Sequence, residues 1–223
     1  MSLVVALDGP AGAGKSTIAK SISKKLGAIY VDTGAMYRAM ALYMLRNGVD
    51  KDDEAAVSKA AERVDISITF EDGAQVVILN GENVNGFIRT EEVGLTASKV
   101  STYSAVRTKL VELQRKLAET KDVVMDGRDI GTVVLPGANP KIYLTASSRV
   151  RAKRRYDELV LKGEKCDIDQ IEKDIIARDT QDMNREISPL RKADDAIEVD
   201  SSDMTVEEVE NCIIELCNKA RNN

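Results

Sequence analysis

Gly9-Pro10-Ala11-Gly12-Ala13-Gly14-Lys15-Ser16 fits the pattern G-x-x-x-x-G-K-[ST], with the apolar run Leu3–Leu7 before it and a helical pattern after it. These residue types suit a phosphate chain. Glycines let backbone N–H groups close around phosphate oxygens, and the N-terminus of the following helix adds partial positive charge. Lys15 brings a point charge to the β- and γ-phosphates of a nucleoside triphosphate, and the Ser16 hydroxyl is a hard ligand for Mg²⁺. Pattern and context together argue against a glycine turn that merely happens to precede a helix.

Such a loop does not choose the phosphate acceptor. A GTPase needs N-K-x-D to read its base, but Asn218-Lys219 is followed by Ala220-Arg221 within a terminal helical pattern. Motor ATPases are usually larger or act as rings, so one site in 223 residues favours a small-molecule kinase. Three further constellations supply the second anion pocket that a kinase needs and a regulatory switch does not.

Asp126-Gly127-Arg128-Asp129 follows the apolar run Val123–Met125. Ligands of open α/β sheets gather beyond the carboxyl ends of strands, which places Asp126 to serve a magnesium shell and Arg128 to grip an acceptor phosphate in bidentate fashion. The alternative is a charged turn closed by its own salt bridges. In Asp32-Thr33-Gly34-Ala35-Met36-Tyr37-Arg38, the arginine is expected in the first turn of a helix. The dipole disfavours a cation there, and a bound anion would relieve the conflict; an arginine reaching into water is the alternative. Ile168, Ile171 and Ile175 form an apolar stripe at helical spacing that continues as Arg178, Asp182 and Arg185. A core stripe that turns charged reads as leaving the core for a polar cleft, against the alternative of a solvated i,i+4 pair. Arg149, Arg151, Lys153, Arg154 and Arg155 crowd one segment beside Asp157 and Glu158. That run is either a solvated charged face or a basic lid that closes over a nucleotide and excludes water.

These residues must be positioned by an α/β scaffold. Strands are expected at Leu3–Leu7, Ala28–Val31, Val123–Met125, Lys141–Leu144 and Ala196–Val199, with helices from Lys15 to Lys25 and after the cap at Asp32-Thr33. Met36, Met40 and Met44 share one side of the second helix. Strands alternating with helices predict a mainly parallel sheet in a three-layer P-loop fold. One stretch breaks the alternation: Ile66, Ile68 and Phe70 alternate with polar residues, and Asp72-Gly73 and Asn80-Gly81 are hairpin dipeptides around Val76–Leu79. An antiparallel insertion over residues 65–88 is the reading. The expectation is a single domain over 1–223, with the insertion inside an acceptor-binding region of about 33–105 and a basic lid at 147–166.

Composition narrows the chemistry further. With 37 acidic against 32 basic residues the net charge is -5, which suits constitutive binding of duplex nucleic acid poorly, because that relies on a broad basic surface. Three cysteines form no CxxC pair and read as thiols of a reducing compartment. Leu3–Leu7 lacks a basic leader and reads as a strand, not a signal peptide, and no apolar run is long enough to span a bilayer. A cytoplasmic protein without nucleic-acid or membrane partners is expected. The chain contains no histidine, which excludes histidine triads, histidine phosphotransfer and histidine-ligated metals.

GPAGAGKST, DTGAMYR, ASKV with the later Val106-Arg107, DGRDIGTVVLP and ARDTQDMNR together resemble the bacterial cytidylate kinases, a branch of the nucleoside monophosphate kinases. The resemblance runs from Leu3 to about Ala220, and the insertion at 65–88 matches that family's enlarged acceptor-binding region. It implies transfer of the γ-phosphate of ATP to CMP or dCMP with Mg²⁺. Gly9, Pro10, Ala11, Gly12, Ala13, Gly14, Lys15, Ser16 and Thr17, with Arg151, Arg154 and Arg155 of the lid, would hold ATP. Ser16 and Asp126 would hold the metal. Arg38, Arg128 and Arg185 would hold the acceptor phosphate, with Lys15, Arg128 and Arg185 catalytic. Ser98, Arg107 and Asp129 would read the cytosine, Thr33 and Tyr37 would line that pocket, and Arg178 and Asp182 would contact the sugar. Cytosine carries an exocyclic amine where uracil carries a carbonyl, so a carboxylate at Asp129 would accept from the first and repel the second.

Overall fold

The computed structural model describes residues 3–119 and 121–222; Met1, Ser2, Thr120 and Asn223 lie outside the described residues, although they fall within the expected domain. The chain opens with β1 (Val4–Asp8), α1 (Lys15–Leu26), β2 (Ile29–Asp32), α2 (Thr33–Arg46) and α3 (Glu54–Arg63). Strands β3 (Ile66–Glu71), β4 (Ala74–Leu79) and β5 (Glu82–Asn83) follow, then helices α4 (Glu91–Val100) and α5 (Ser104–Ala118). Strand β6 (Val123–Gly127), a π-helix over Ile130–Val134, β7 (Lys141–Thr145), α6 (Ser148–Leu161), α7 (Ile168–Asn184), β8 (Ile197–Asp200) and α8 (Val206–Asn222) complete it. The main sheet has the order β2-β6-β1-β7-β8, with β1–β7 and β7–β8 parallel and helices on both sides. This is the expected α/β architecture, and each expected strand is present with its end displaced by a residue or two.

Two compact units divide the chain: residues 3–28 with 124–222, and residues 29–123. In the first, β1 and β7 bury Val5, Leu7, Ile142 and Leu144, while α1 packs with α8 and α6 with α7. Burying each such side chain contributes roughly 1.5–3 kcal/mol.

The second unit holds the whole acceptor-binding region expected at about 33–105. Helix α2 packs on α4 and on the meander, burying Met36, Met40 and Met44 as their shared face requires. The meander is antiparallel throughout, with Glu71 opposite Ala74 and Leu79 opposite Glu82. Asp72-Gly73 and Asn80-Gly81 all take positive φ (48°, 76°, 48° and 86°), the conformation in which a two-residue hairpin matches strand twist. Asp32 caps α2 by accepting from the Ala35 N–H at 2.9 Å. Because the helix then starts at Thr33, Arg38 lies in its second turn. This corrects the expected first-turn position and removes most of the dipole argument, which fades within one turn.

Candidate active site

In the first unit, β1 delivers the chain into the loop at Gly9. A Cβ there would lie 2.0 Å from the Leu144 carbonyl oxygen, and φ is +149°, so no other residue fits this approach to β7. The loop ends at Gly14, and Lys15 and Ser16 open α1. Lys15 is buried and its Nζ donates to the Pro10 carbonyl at 2.7 Å, spanning the loop. Burial, followed by the charge of Arg128, pushes the Lys15 ammonium well below the ordinary lysine range, while Asp126, Asp8 and Asp182 pull it back. A phosphate chain would add further negative charge at that point and favour the protonated form. The Ser16 hydroxyl donates to Asp126 Oδ2 at 2.9 Å. Thr17, next along α1, is exposed.

Beyond β6, carboxylates and guanidinium groups alternate. Arg128 Nε donates to Asp182 Oδ2 at 2.9 Å. Arg185 Nη1 lies 3.9 Å from Asp182 Oδ1 and its Nη2 lies 3.7 Å from Asp129 Oδ1. Arg185 Nε is oriented by donating to the Ser188 carbonyl. Asp126, Asp129 and Asp182 are buried, so this part of the site is a polar cluster held by its own charges.

The stripe of α7 continues differently from expectation. Ile168, Ile171 and Ile175 are half-buried, but the buried charged residues that follow are Asp179 and Asp182, while Arg178 is exposed. Steps of three, four, four and three residues follow the helix period, and Arg178 falls one position off that line.

The basic segment divides into two classes. Arg149 pairs with Asp169 and Glu172, Lys153 with Asp157, and Arg155 with Glu158, all as exposed surface pairs. Arg154 and Arg151 turn instead to the loop. Arg154 Nη2 donates to the Ser201 carbonyl at 2.7 Å, and its Nη1 reaches the Ala13 carbonyl at 3.5 Å. Arg151 is buried against the loop and Asp179.

Asp8 has no place in the sequence-derived set, yet it organises the region. Its Oδ1 accepts from the Ile130 N–H at 2.8 Å and its Oδ2 from the Gly131 N–H at 2.7 Å, which fastens the start of the π-helix directly after Asp129. A lone acid ending a buried apolar strand was the available signal. Burial, with the charge of Asp129 adding to it, pushes the Asp8 carboxyl up to about 6, against the two N–H groups and Lys15. A raised folded-state value means that this group stabilises the fold fully below the unfolded value of 3.8 and loses that contribution as pH rises through about 6. The shift corresponds to about 3 kcal/mol. Relative to Asp8→Asn, the wild-type protein should therefore lose stability on that scale between pH 4 and pH 7 in urea unfolding. A wild-type minus variant difference that stays flat with pH contradicts this.

In the second unit the DTGAMYR residues are anchored from three directions. Asp32 N–H and carbonyl clasp the Gln75 amide (2.8 and 3.1 Å), and Asp32 Oδ2 accepts from Arg89 Nη2 at 2.6 Å. Arg38 is half-buried and reaches back over Gly34, where a Cβ would sit 3.4 Å from its Nη1. The guanidinium is thus carried towards the helix N-terminus, the direction in which helical side chains lean. Arg107 is buried with its guanidinium 5.6 Å from the centre of the Tyr37 ring, a cation–π contact, and it donates to the Ser101 carbonyl at 3.4 Å. Thr33 is buried and Ser98 half-buried on α4. Gln75 and Arg89 were not legible as site residues, since each acts through the folded meander or the turn after it.

A sequence model described as cytidylate kinase matches residues 5–219. The chain belongs to the cytidylate kinase family. It is 51% identical over 219 residues to a cytidylate kinase of Lactobacillus johnsonii, covering 98% of this chain and 95% of that protein. It is 49% identical over 219 residues to one from Caldicellulosiruptor saccharolyticus (98% and 97%) and 47% identical over 212 residues to one from Carboxydothermus hydrogenoformans (95% and 96%). Among solved structures, a gluconokinase from Sinorhizobium meliloti 1021 superposes with a TM-score of 0.51 at 13% identity, covering 99% of this chain and 94% of that one. That likeness concerns the fold alone.

The donor set also bears on metal. Among the described residues no three His, Cys, Asp or Glu side chains form a metal-holding cluster. A hydroxyl beside a single carboxylate, as at Ser16 and Asp126, suits Mg²⁺, which takes few protein oxygens and keeps its water and phosphate ligands.

Proposed function

We propose that the protein transfers the γ-phosphate of ATP to CMP and dCMP. The observation that carries this reading is the charge cluster of the first unit: Lys15, the Ser16–Asp126 pair, and the Arg128–Asp182–Arg185–Asp129 network on neighbouring elements. An oxygen of the acceptor phosphate, already anionic at neutral pH, forms a bond to the γ-phosphorus as the bond to the β–γ bridging oxygen breaks and ADP leaves. No proton has to be removed from the nucleophile, which suits a chain without histidine. Lys15 neutralises the migrating phosphoryl group, and Arg128 and Arg185 hold the acceptor phosphate and take up charge in the transition state. Ser16 and Asp126 would hold Mg²⁺, which when bound offsets the charge of the β- and γ-phosphate oxygens.

The residues of the second unit serve the acceptor. Arg38 holds the phosphate, Ser98 and Arg107 read the base, and Thr33 and Tyr37 line its pocket, with Tyr37 fixing the plane of the Arg107 guanidinium. Asp129 accepts from the cytosine amine, and Arg178 and Asp182 serve the sugar. Loop residues Gly9 to Ser16, with Thr17 and Arg154, serve the donor, while Arg155 stays paired with Glu158 on the surface. Among the described residues no helix is long and apolar enough to cross a membrane. We infer a cytoplasmic monomer whose partners are these nucleotides.

The test is ADP release from Mg-ATP with CMP, dCMP, UMP, AMP or no acceptor. Turnover with CMP and dCMP, weak with UMP and absent otherwise, is expected; equal release in every case would mean plain hydrolysis. Asp129→Ala should then narrow the preference for CMP over UMP, because the carboxylate that distinguishes amine from carbonyl is gone. An unchanged ratio of kcat/KM values would remove Asp129 from base recognition.

A further inference from the structure

The peptide of Ala11, at the apex of the phosphate loop, is gripped on both its polar atoms. Its N–H donates to Asp179 Oδ1 at 3.2 Å, and its carbonyl accepts from Arg151 Nη1 at 2.7 Å. Arg151 Nη1 and Asp179 Oδ2 are themselves 2.7 Å apart, closing a ring through the peptide. A third bond, from Arg151 Nε to the Ala146 carbonyl at 2.9 Å, fixes the guanidinium plane. All three residues are buried. Gly12 independently marks how near the helices come. It takes φ +74°, and a Cβ on it would lie 3.3 Å from the Arg151 Cβ and 3.8 Å from Ile175 Cδ1. Arg151 stands in the first turn of α6 and Asp179 near the end of α7, so both helices of the packed α6–α7 pair meet on one peptide of the loop.

We propose that Arg151 and Asp179 are a positioning pair for the phosphate donor. They hold the Ala11 peptide in one orientation from outside the loop, so that the N–H groups further along converge on the donor phosphates. Because the Ala11 N–H points to Asp179, this pair acts on the donor through the loop backbone and not by touching it. The grip also ties the conformation of the loop to that of the α6–α7 pair. A guanidinium is required at Arg151, since three acceptors in different directions must be met at once and an ammonium cannot present that planar fork. The inference rests on the reading of the loop as the ATP site.

Asp179→Asn keeps the shape but turns an amide towards Arg151, and Arg151→Lys keeps the charge without the fork. Each variant should raise the KM for ATP about tenfold, with the KM for CMP changed less than about twofold. In calorimetry, each should weaken ADP binding by a similar factor. Arg151→Lys decides the matter should Asp179→Asn fail to fold. Folded variants with wild-type ATP KM and wild-type ADP affinity would overturn the proposal. So would a lowered melting temperature with both KM values moved equally, which is the mark of a merely structural pair. ADP binding needs no acceptor, so a wild-type protein that binds ADP but phosphorylates no nucleotide would refute the acceptor assignment and leave the positioning pair testable.

Discussion

Lys15→Ala is expected to lower kcat by roughly two to three orders of magnitude, the range seen when one pre-positioned charge or donor is removed from a transition state. The variant should remain folded. The wild-type ammonium is buried and shifted well below the ordinary range, chiefly by burial, so its charge is a burden on the folded state and its removal does not uncover a large debt. It surrenders a bond to the Pro10 carbonyl at 2.7 Å within the same loop. Turnover in single-cycle quench experiments, beside a thermal melt, reads both quantities. Near-normal turnover from a folded variant would mean that Lys15 does not meet the migrating phosphoryl group.

Arg185→Ala carries the second large effect, because this side chain sits in the alternation that orders the acceptor side of the first unit. It stands 3.7 Å from Asp129 and 3.9 Å from Asp182, both buried, and Asp182 in turn orients Arg128 at 2.9 Å. Its loss removes the cation proposed to hold the acceptor phosphate and leaves two carboxylates with less positive charge between them. The expected fall in kcat/KM for CMP is roughly a hundredfold or more. Arg185→Lys should recover only part of it, since the ammonium supplies charge without the two-pronged geometry. Equal rates for wild type, lysine and alanine variants would detach Arg185 from the acceptor phosphate.

The parts of the molecule written into local sequence were legible in advance. The G-x-x-x-x-G-K-S run needs only its own glycines and the strand before it, and Asp72-Gly73 and Asn80-Gly81 specify their turns within two residues. Arg128 and Asp182 could be singled out, but their mutual bond spans 54 positions and has no local signature. The π-helix over Ile130–Val134 is a similar case. It is fastened by Asp8 from 122 residues away, and no periodicity in IGTVV distinguishes it from a loop. On α7, residues 178 and 179 both lie within helical reach of Ile175, and only packing against the loop decides that Asp179 is the one buried. The basic segment divides by what each side chain meets, which a run of like charges does not reveal. Arg149, Lys153 and Arg155 form a solvated face, whose pairs contribute little to stability, while Arg151 and Arg154 bond to the loop backbone. Arg38 is a turn further along than its expected place although the cap at Asp32 is where the sequence puts it: counted from Thr33, position 38 already lies in the second turn.

The most direct test of the central claim is to follow the phosphoryl group itself. ATP labelled at the γ-phosphate would be incubated with Mg²⁺ and CMP, and the products separated. The chemistry set by Lys15, Arg128 and Arg185 predicts that the label appears in CDP in step with ADP formation and that little is released as inorganic phosphate. Label recovered as inorganic phosphate at the same rate with and without CMP would contradict it.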